Sequence, residues 1–368
     1  MRRSRKFASI LTVGLLALGA TACGSNDSSG SSSGTDTTGA STGTSPSTST
    51  SGTPAPTSDL KVGMAYDVGG RGDQSFNDSA AAGLDKAKTD LGIQADESEA
   101  TDGEAESARE ERLVTFADAG YDPIIAVGFA YAEAVGKVSA QYPDIHFAII
   151  DDSSLADSPN VASLVFAEEQ GSFLVGAAAA LKSQAGHIGF VGGVQVPLIE
   201  KFQAGYEAGA KAVNPDIKID VTYLTQPPDF SGFGDPAKGK TAAQGMYDNG
   251  ADIVYHAAGG SGGGVFEAAK DAGALAIGVD SDQYNTADPS VKDVIMTSML
   301  KNVNVAVYNY LSDCVTAGEC PVGVNTYDLS VDGVGYATSG GKIDDIKDQL
   351  EAFKQKIISG EIKVPTTP

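Results

Sequence analysis

The sequence predicts an α/β protein built as two doubly wound parallel-sheet lobes. Three observations lead there. Short apolar runs alternate with helix-like segments, the alternation runs through two successive series, and the roughly 300 residues from 60 to 368 are too many for one ordinary compact core.

The first 23 residues stand apart from that fold. A basic start with Arg2, Arg3, Arg5 and Lys6, an apolar run over 10–20 and small residues up to Cys23 read as a signal peptide. The run is too short to span a bilayer, which takes roughly 20 apolar residues. Its ending, Ala20-Thr-Ala-Cys23, resembles a bacterial lipobox with Ala20 where Leu is commoner. That resemblance makes Cys23 the expected lipidated first residue of the mature chain. Residues 24–58 are almost entirely Gly, Ser, Thr, Pro, Ala and Asp, a composition that buries too little apolar surface to fold. They read as a tether of about 30–35 Å. A lipid and a spacer place the remaining chain outside the cytoplasm, at the cell membrane.

The first series pairs strand 61–66 with helix 75–91, strand 123–127 with helix 130–141, and then strand 146–150. The second series starts at strand 161–166 with helix 171–183. Strand 187–191 and helix 198–213 follow, then strand 217–224 and helix 237–247, strand 253–255 and helix 265–272, and strand 275–279. A mixed tail runs from Val294. The expected lobes are 59–165 with part of 284–318, and 166–283 with part of 319–368. In such sheets ligands sit beyond the carboxyl ends of the strands. The residues there are Asp67, Gly128, Asp151, Gly192, Gly259 and Asp280, which suit a polar small molecule and also suit helix caps and tight turns.

Charge narrows the partners. Removing the four leader cations leaves 21 basic residues against 48 acidic ones, a charge of −27. Nucleic acid is excluded, because phosphate binding needs a basic footprint. Cys314 and Cys320 lie six residues apart around Gly318, and an extracellular setting favours a local disulfide. With His only at 146, 187 and 256, the spacing supplies no metal site.

Several motifs invite enzyme readings. Gly234-Asp-Pro-Ala-Lys-Gly-Lys-Thr241 fits the phosphate-loop pattern, but that loop must spring directly from a buried strand, and here the strand-like run ends near Leu224. Pro236 also removes one N–H from the cradle. The segment reads better as a helix start, with Asp235 as cap, Pro236 as first residue, and Lys238 and Lys240 on a solvated face. Gly70-Arg-Gly-Asp-Gln-Ser75 opens a helix after a strand but has Ser in place of the third Gly of a dinucleotide fingerprint. Ser75-Phe-Asn-Asp78 reads as a capping box, which sets Phe76 on the first helical turn. The glycine run 259–264 reads either as close ligand approach or as a mobile loop. No Ser, His and acid combination carries a nucleophile signature, and no cofactor is implied.

Taken together, Asp67-Val-Gly-Gly-Arg-Gly-Asp-Gln-Ser-Phe-Asn77, Gly189-Phe-Val-Gly-Gly193, Phe202-Gln-Ala-Gly-Tyr-Glu-Ala-Gly209, Asp235-Pro-Ala-Lys-Gly-Lys240, His256-Ala-Ala-Gly-Gly260, Gly263-Gly-Val-Phe-Glu-Ala-Ala269 and Ile277-Gly-Val-Asp-Ser-Asp-Gln283 resemble the basic membrane protein family. Those lipoproteins include purine nucleoside receptors of ABC transporters. The resemblance implies a type I periplasmic-binding-protein fold, a nucleoside as small-molecule ligand, a permease as partner and no catalysis; a monomer is expected. It implies that one Phe from each lobe sandwiches the base, Phe76 and Phe233, with Phe230 as a competitor because Pro227-Pro-Asp-Phe230 looks like an insertion. Asp67, Asp73, Asn77 and Asp151 would hydrogen-bond base or ribose, Asp280 and Lys301 the ribose hydroxyls, and Gly259 would offer backbone. Another small solute, such as a sugar, or a nucleoside-processing enzyme are the other classes that such a site could serve.

Overall fold

The computed structural model describes residues 58–101 and 103–368. The signal peptide, Cys23 and the spacer up to residue 57 lie outside the described residues. In chain order the elements are β1 (Lys61–Tyr66), α1 (Phe76–Leu91), β2 (Gln94–Glu99), α2 (Glu106–Asp118), β3 (Ile124–Ala126), α3 (Ala132–Gln141), β4 (Phe147–Ile150), β5 (Val161–Phe166) and α4 (Glu168–Lys182). Then come β6 (His187–Val194), α5 (Pro197–Val213), β7 (Lys218–Thr225), α6 (Pro236–Asp248), β8 (Ile253–Ala257), α7 (Gly262–Ala272), β9 (Leu275–Asp280) and α8 (Gln283–Thr286). The tail forms β10 (Ile295–Lys301), α9 (Val303–Ala317), β11 (Gly323–Tyr327), β12 (Val334–Tyr336) and α10 (Lys347–Ile358).

Two six-stranded sheets result, ordered β11-β5-β4-β3-β1-β2 and β12-β10-β9-β8-β6-β7. The described ladders are parallel except β10 with β12. Each sheet reverses its winding between the first and third strands of its set, the point where open α/β sheets leave a crevice. The apolar runs form central strands because both faces are covered: all eight residues of β6 and five of six in β1 are buried. The chain passes between the sheets after β5, after β10 and after β11.

Sequence and structure differ at the edges. The apolar run 161–166 heads the second series by its pattern, whereas the expected first lobe, 59–165, already takes it in; β5 lies in the first sheet, between β4 and β11. Residues 151–160 join those two strands without a helix, so the run reads as a fresh start. β2 and α2 escaped notice. β2 is Gln-Ala-Asp-Glu-Ser-Glu, an edge strand paired only with β1, and one partner asks for little apolar surface. α2 buries only Arg109, Leu113, Phe116 and Ala117.

The helix starts explain two motifs. Asp235 accepts a hydrogen bond from Lys238 N at 3.0 Å with Pro236 in the first turn, and Lys240 pairs with Glu267 and Asp271 of α7, so the phosphate-loop pattern is the start of α6. At α1 the expectation needs correction. Ser75 occupies the cap position but its side chain caps nothing; Asp73 accepts instead from the backbone N–H groups of Ser75, Asn77 and Asp78, at 2.8–3.1 Å. The glycine run 259–264 is no mobile loop. It is a 3-10 turn and the first turn of α7, where a Cβ on Gly262 would sit 1.9 Å from the His256 ring and one on Gly264 1.8 Å from Pro236 O. At the far end of α9, Cys314 and Cys320 are joined as a disulfide.

Three glycines bring α4 and α5 into backbone contact. A Cβ on Gly176, Gly205 or Gly209 would lie 2.1, 2.1 or 1.9 Å from the carbonyl oxygens of Tyr206, Glu169 and Phe173. Gly209→Ala should therefore force the helices apart and lower stability in chemical denaturation by about 1–3 kcal/mol. Gly245→Ala on α6, where a Cβ meets nothing within 4 Å, should instead stabilise by roughly 0.4–1 kcal/mol. Equal effects of the two substitutions would refute the packing account.

Candidate ligand-binding site

A partly open cavity lies between the sheets, with about 570 Å³ of empty space when the open solvent at its mouth is included. All nine residues singled out from the sequence line it. Asp67 follows β1, Asp73, Phe76 and Asn77 form the start of α1, and Asp151 follows β4; Phe233 lies in the 3-10 turn before α6, Gly259 in the turn after β8, and Asp280 and Lys301 end β9 and β10. Phe230 is not among the lining residues. Sequence reasoning missed the apolar wall of Val68, Phe129, Leu198, Ile199, Phe202, Ala257 and Val279. Its signal was partly present: Leu198, Ile199 and Phe202 share one face of α5 at helical spacing, and Phe129 follows Gly128, a strand-end residue already marked.

The polar groups divide into those already satisfied and those with capacity left. Asp73 Oδ1 accepts from two backbone N–H groups, and its Oδ2 accepts from Asn77 N and Asn77 Nδ2. Asn77 Oδ1 in turn accepts from Asp67 N at 3.1 Å. These bonds hold the α1 entry and the β1 end in register, and Asn77 Oδ1 keeps a second acceptor site. Asp67 Oδ1 accepts from Val68 N at 2.8 Å, while its Oδ2 faces Gly128, whose φ of 107° and missing Cβ leave room for it. Asp151 and Asp280 both sit at positive φ, 71° and 63°, a region that costs a non-glycine residue energy and turns each carboxylate out of its strand. Asp151 Oδ1 is buried without a partner among the described residues. Asp280 Oδ2 accepts from Ser75 Oγ at 2.5 Å, the role that Ser75 plays in place of capping.

Lys301 is the cation among the lining residues. Its Nζ lies 2.6 Å from Asp151 Oδ2 and 3.1 Å from Glu168 Oε1, with the rings of Phe166, Phe76 and Phe202 at 5.1, 5.2 and 5.5 Å. Burial works against its charge, but the carboxylates of Asp151, Glu168 and Asp280 outweigh burial and hold the ammonium above the ordinary lysine value. The lining acids move the other way. Burial pushes Asp67 and Asp151 up to about 6 and Asp280 up to about 7, against the opposing pull of neighbours such as Val68 N and Lys301. Four carboxylates against one ammonium make a wall that accepts hydrogen bonds and repels anions. No Ser, Thr, Cys or His is among the lining residues, and among the described residues no cluster of His, Cys, Asp and Glu is placed to hold a metal ion.

Direct hydrogen bonds join the lobes beside this cavity. Gln283 Nε2 donates to Gln74 O at 3.0 Å, and Ser281 Oγ to Ser75 O at 3.1 Å. Two lobes shut over an aromatic and acidic cleft define a substrate-binding protein of the type I fold. A solute-binding protein of an ABC transporter system from Aeropyrum pernix K1 has the same architecture, with a TM-score of 0.72 and 32% identity over 83% of this chain and 93% of that one. The chain belongs to the Bmp family, the PnrA-like substrate-binding proteins of ABC transporters, whose family model matches residues 60–368. It is 38% identical to the CD4+ T-cell-stimulating antigen of Listeria monocytogenes serovar 1/2a over 85% of this chain and 90% of the relative. It is 34% identical to the ABC transporter nucleoside-binding protein BmpA of Lactococcus lactis subsp. cremoris, over 84% and 90%.

The raised carboxylate at Asp280 has a measurable consequence. Between its ordinary 3.8 and about 7 the native protein holds a proton that the unfolded chain has released. Its contribution to stability is complete below pH 4, falls as pH rises through that window, and stays lost above about 7. Asp280→Asn should raise the melting temperature of the ligand-free protein above pH 7, by up to a few kcal/mol in stability, and change little at pH 4. A shift of equal size at both pH values would contradict the assignment.

Proposed function

We propose that this protein captures a nucleoside, with a purine as the expected base, between Phe76 and Phe233, and delivers it to an ABC transporter permease from outside the cytoplasm. The observation that carries the reading is that two phenylalanines from opposite lobes line one cavity whose polar wall is carboxylate. A base needs two flat apolar faces, and ring stacking contributes about 1–3 kcal/mol per face. A ribose needs acceptors for its hydroxyls, and Asp151 Oδ1 and the carboxylates of Asp67 and Asp280 offer them. The same acids disfavour a 5′-phosphate, so nucleosides should bind well above nucleotides. The nucleoside-binding relative from Lactococcus lactis supports this choice of ligand.

Closure belongs to the mechanism. Each lobe carries one stacking face, so an open cleft offers only half of the contacts, and the ligand favours the closed form by the contacts that exist only there. We place the protein at the cell membrane as a monomer held by a lipid on Cys23. Among the described residues no helix is long and apolar enough to cross a membrane.

Two experiments test these statements. Calorimetry with adenosine, guanosine and inosine should show binding by the parent and roughly 5- to 150-fold weaker binding in both Phe76→Ala and Phe233→Ala. If neither substitution matters, or if a sugar binds and no nucleoside does, the sandwich must be given up. Cys23→Ser should move the protein from the membrane fraction to the soluble fraction, and unchanged membrane association would rule out the lipid anchor.

A further inference from the structure

The loop between β7 and α6 contains Pro227-Pro-Asp-Phe230, the segment that reads as an insertion and offers a second phenylalanine near the site. The loop is well tied down. Thr225 Oγ1 donates to Asp229 O at 2.6 Å, Ser231 N to Asp229 Oδ1 at 2.9 Å, and Gln226 Nε2 to Gln195 Oε1 at 2.9 Å. Phe233 N donates to Phe230 O at 3.1 Å, which links the loop to the cavity wall. Phe230 itself does not line the cavity. Its ring packs edge-on against Phe129, centroids 5.9 Å apart at 67°. Phe129 follows β3 in one lobe, and Phe230 follows β7 in the other; β7 is the edge strand opposite the β10 and β12 side where the chain crosses between sheets. The contact therefore bridges the two lobes away from the crossings, at the side where the cleft must part for a ligand to leave.

We propose that Phe129 and Phe230 form an aromatic clasp across the mouth of the cleft, so that Phe230 sets how long a ligand stays and not which ligand is taken. The choice of probe ligand rests on the nucleoside reading above. The ring contact exists only while the lobes are shut, so losing it favours opening and acts on the dissociation rate. An edge-to-face pair of this kind corresponds to about a 2- to 10-fold change. A stacking role for Phe230 would look different, because it would change preference among bases and between nucleosides and other solutes.

The test uses the full chain. Release of tritiated adenosine, guanosine and inosine, chased with unlabelled nucleoside, should be about 2- to 10-fold faster from Phe230→Ala, by the same factor for each, with association no slower. Unchanged release, or a factor that differs between bases, overturns the clasp. A second measurement needs no ligand. The chain contains no tryptophan, so Phe230→Trp introduces a single reporter that keeps an aromatic ring against Phe129. Adding Phe129→Leu to it should shift its emission to longer wavelength and raise its quenching by acrylamide in the ligand-free protein. No change there overturns the clasp as well. If the parent binds none of the three nucleosides, the ligand reading fails while the tryptophan measurement still decides the clasp.

Discussion

The arrangement of the two lobes depends on one buried ammonium. Lys301 is 1% exposed and ends β10 at a point where the chain crosses from one sheet to the other. Asp151, its partner at 2.6 Å, follows β4 of the opposite sheet, and Glu168, at 3.1 Å, begins α4 just after the crossing from β5. A cation so deeply buried is tolerable only with both carboxylates in place, and removing one partner of such a pair typically costs about 3–5 kcal/mol. Glu168 also reaches Lys201 of α5 at 3.3 Å, so the charge cluster extends to the helix that supplies the apolar wall. The floor of the cavity and the junction of the lobes are thus one electrostatic unit.

That unit leaves the cavity with an imbalance that suits binding better than stability. Burial opposes ionisation of Asp67, Asp151 and Asp280, and two of them also sit in a backbone region that non-glycine residues avoid. Such strain persists where the surroundings over-determine it, and it clusters at sites that must recognise something. Hydroxyl donors from a ligand would relieve part of the cost by giving the buried acids partners. Asp73 and Asn77 do the opposite work. They are bonded to backbone and to each other, which makes the α1 entry rigid and presents Phe76 in a defined place. Preorganisation of this kind raises affinity by lowering the ordering cost on binding.

Much of this is legible in the sequence. Alternating apolar runs and helical patterns identify two parallel sheets, because strands covered on both faces must be continuously apolar. Strand-end positions identify Asp67, Asp151 and Asp280, because side chains beyond the carboxyl ends of such strands face the crevice. The elements that escaped, β2 and α2, are polar and peripheral, and they bury too few apolar side chains to show an apolar stripe or alternation. β5, which pattern alone groups with the second series, follows a helix-free connection that leaves no mark in the sequence of which sheet it joins.

By itself the sequence determined composition, the order of the buried strands and their helices up to residue 279 and the identity of the residues at the strand ends, since these depend on local pattern and on the C-terminal ends of buried runs. Only the tertiary structure decided which groups keep hydrogen-bonding capacity. Ser75 reads locally as a cap, yet it donates to Asp280, 205 residues away, and Phe230 reads as a competitor to Phe233 for the stacking role, yet its ring packs against Phe129 of the other lobe. Both outcomes turn on distances between lobes, and a linear pattern carries no information about distances that are set when two separately wound sheets are brought together.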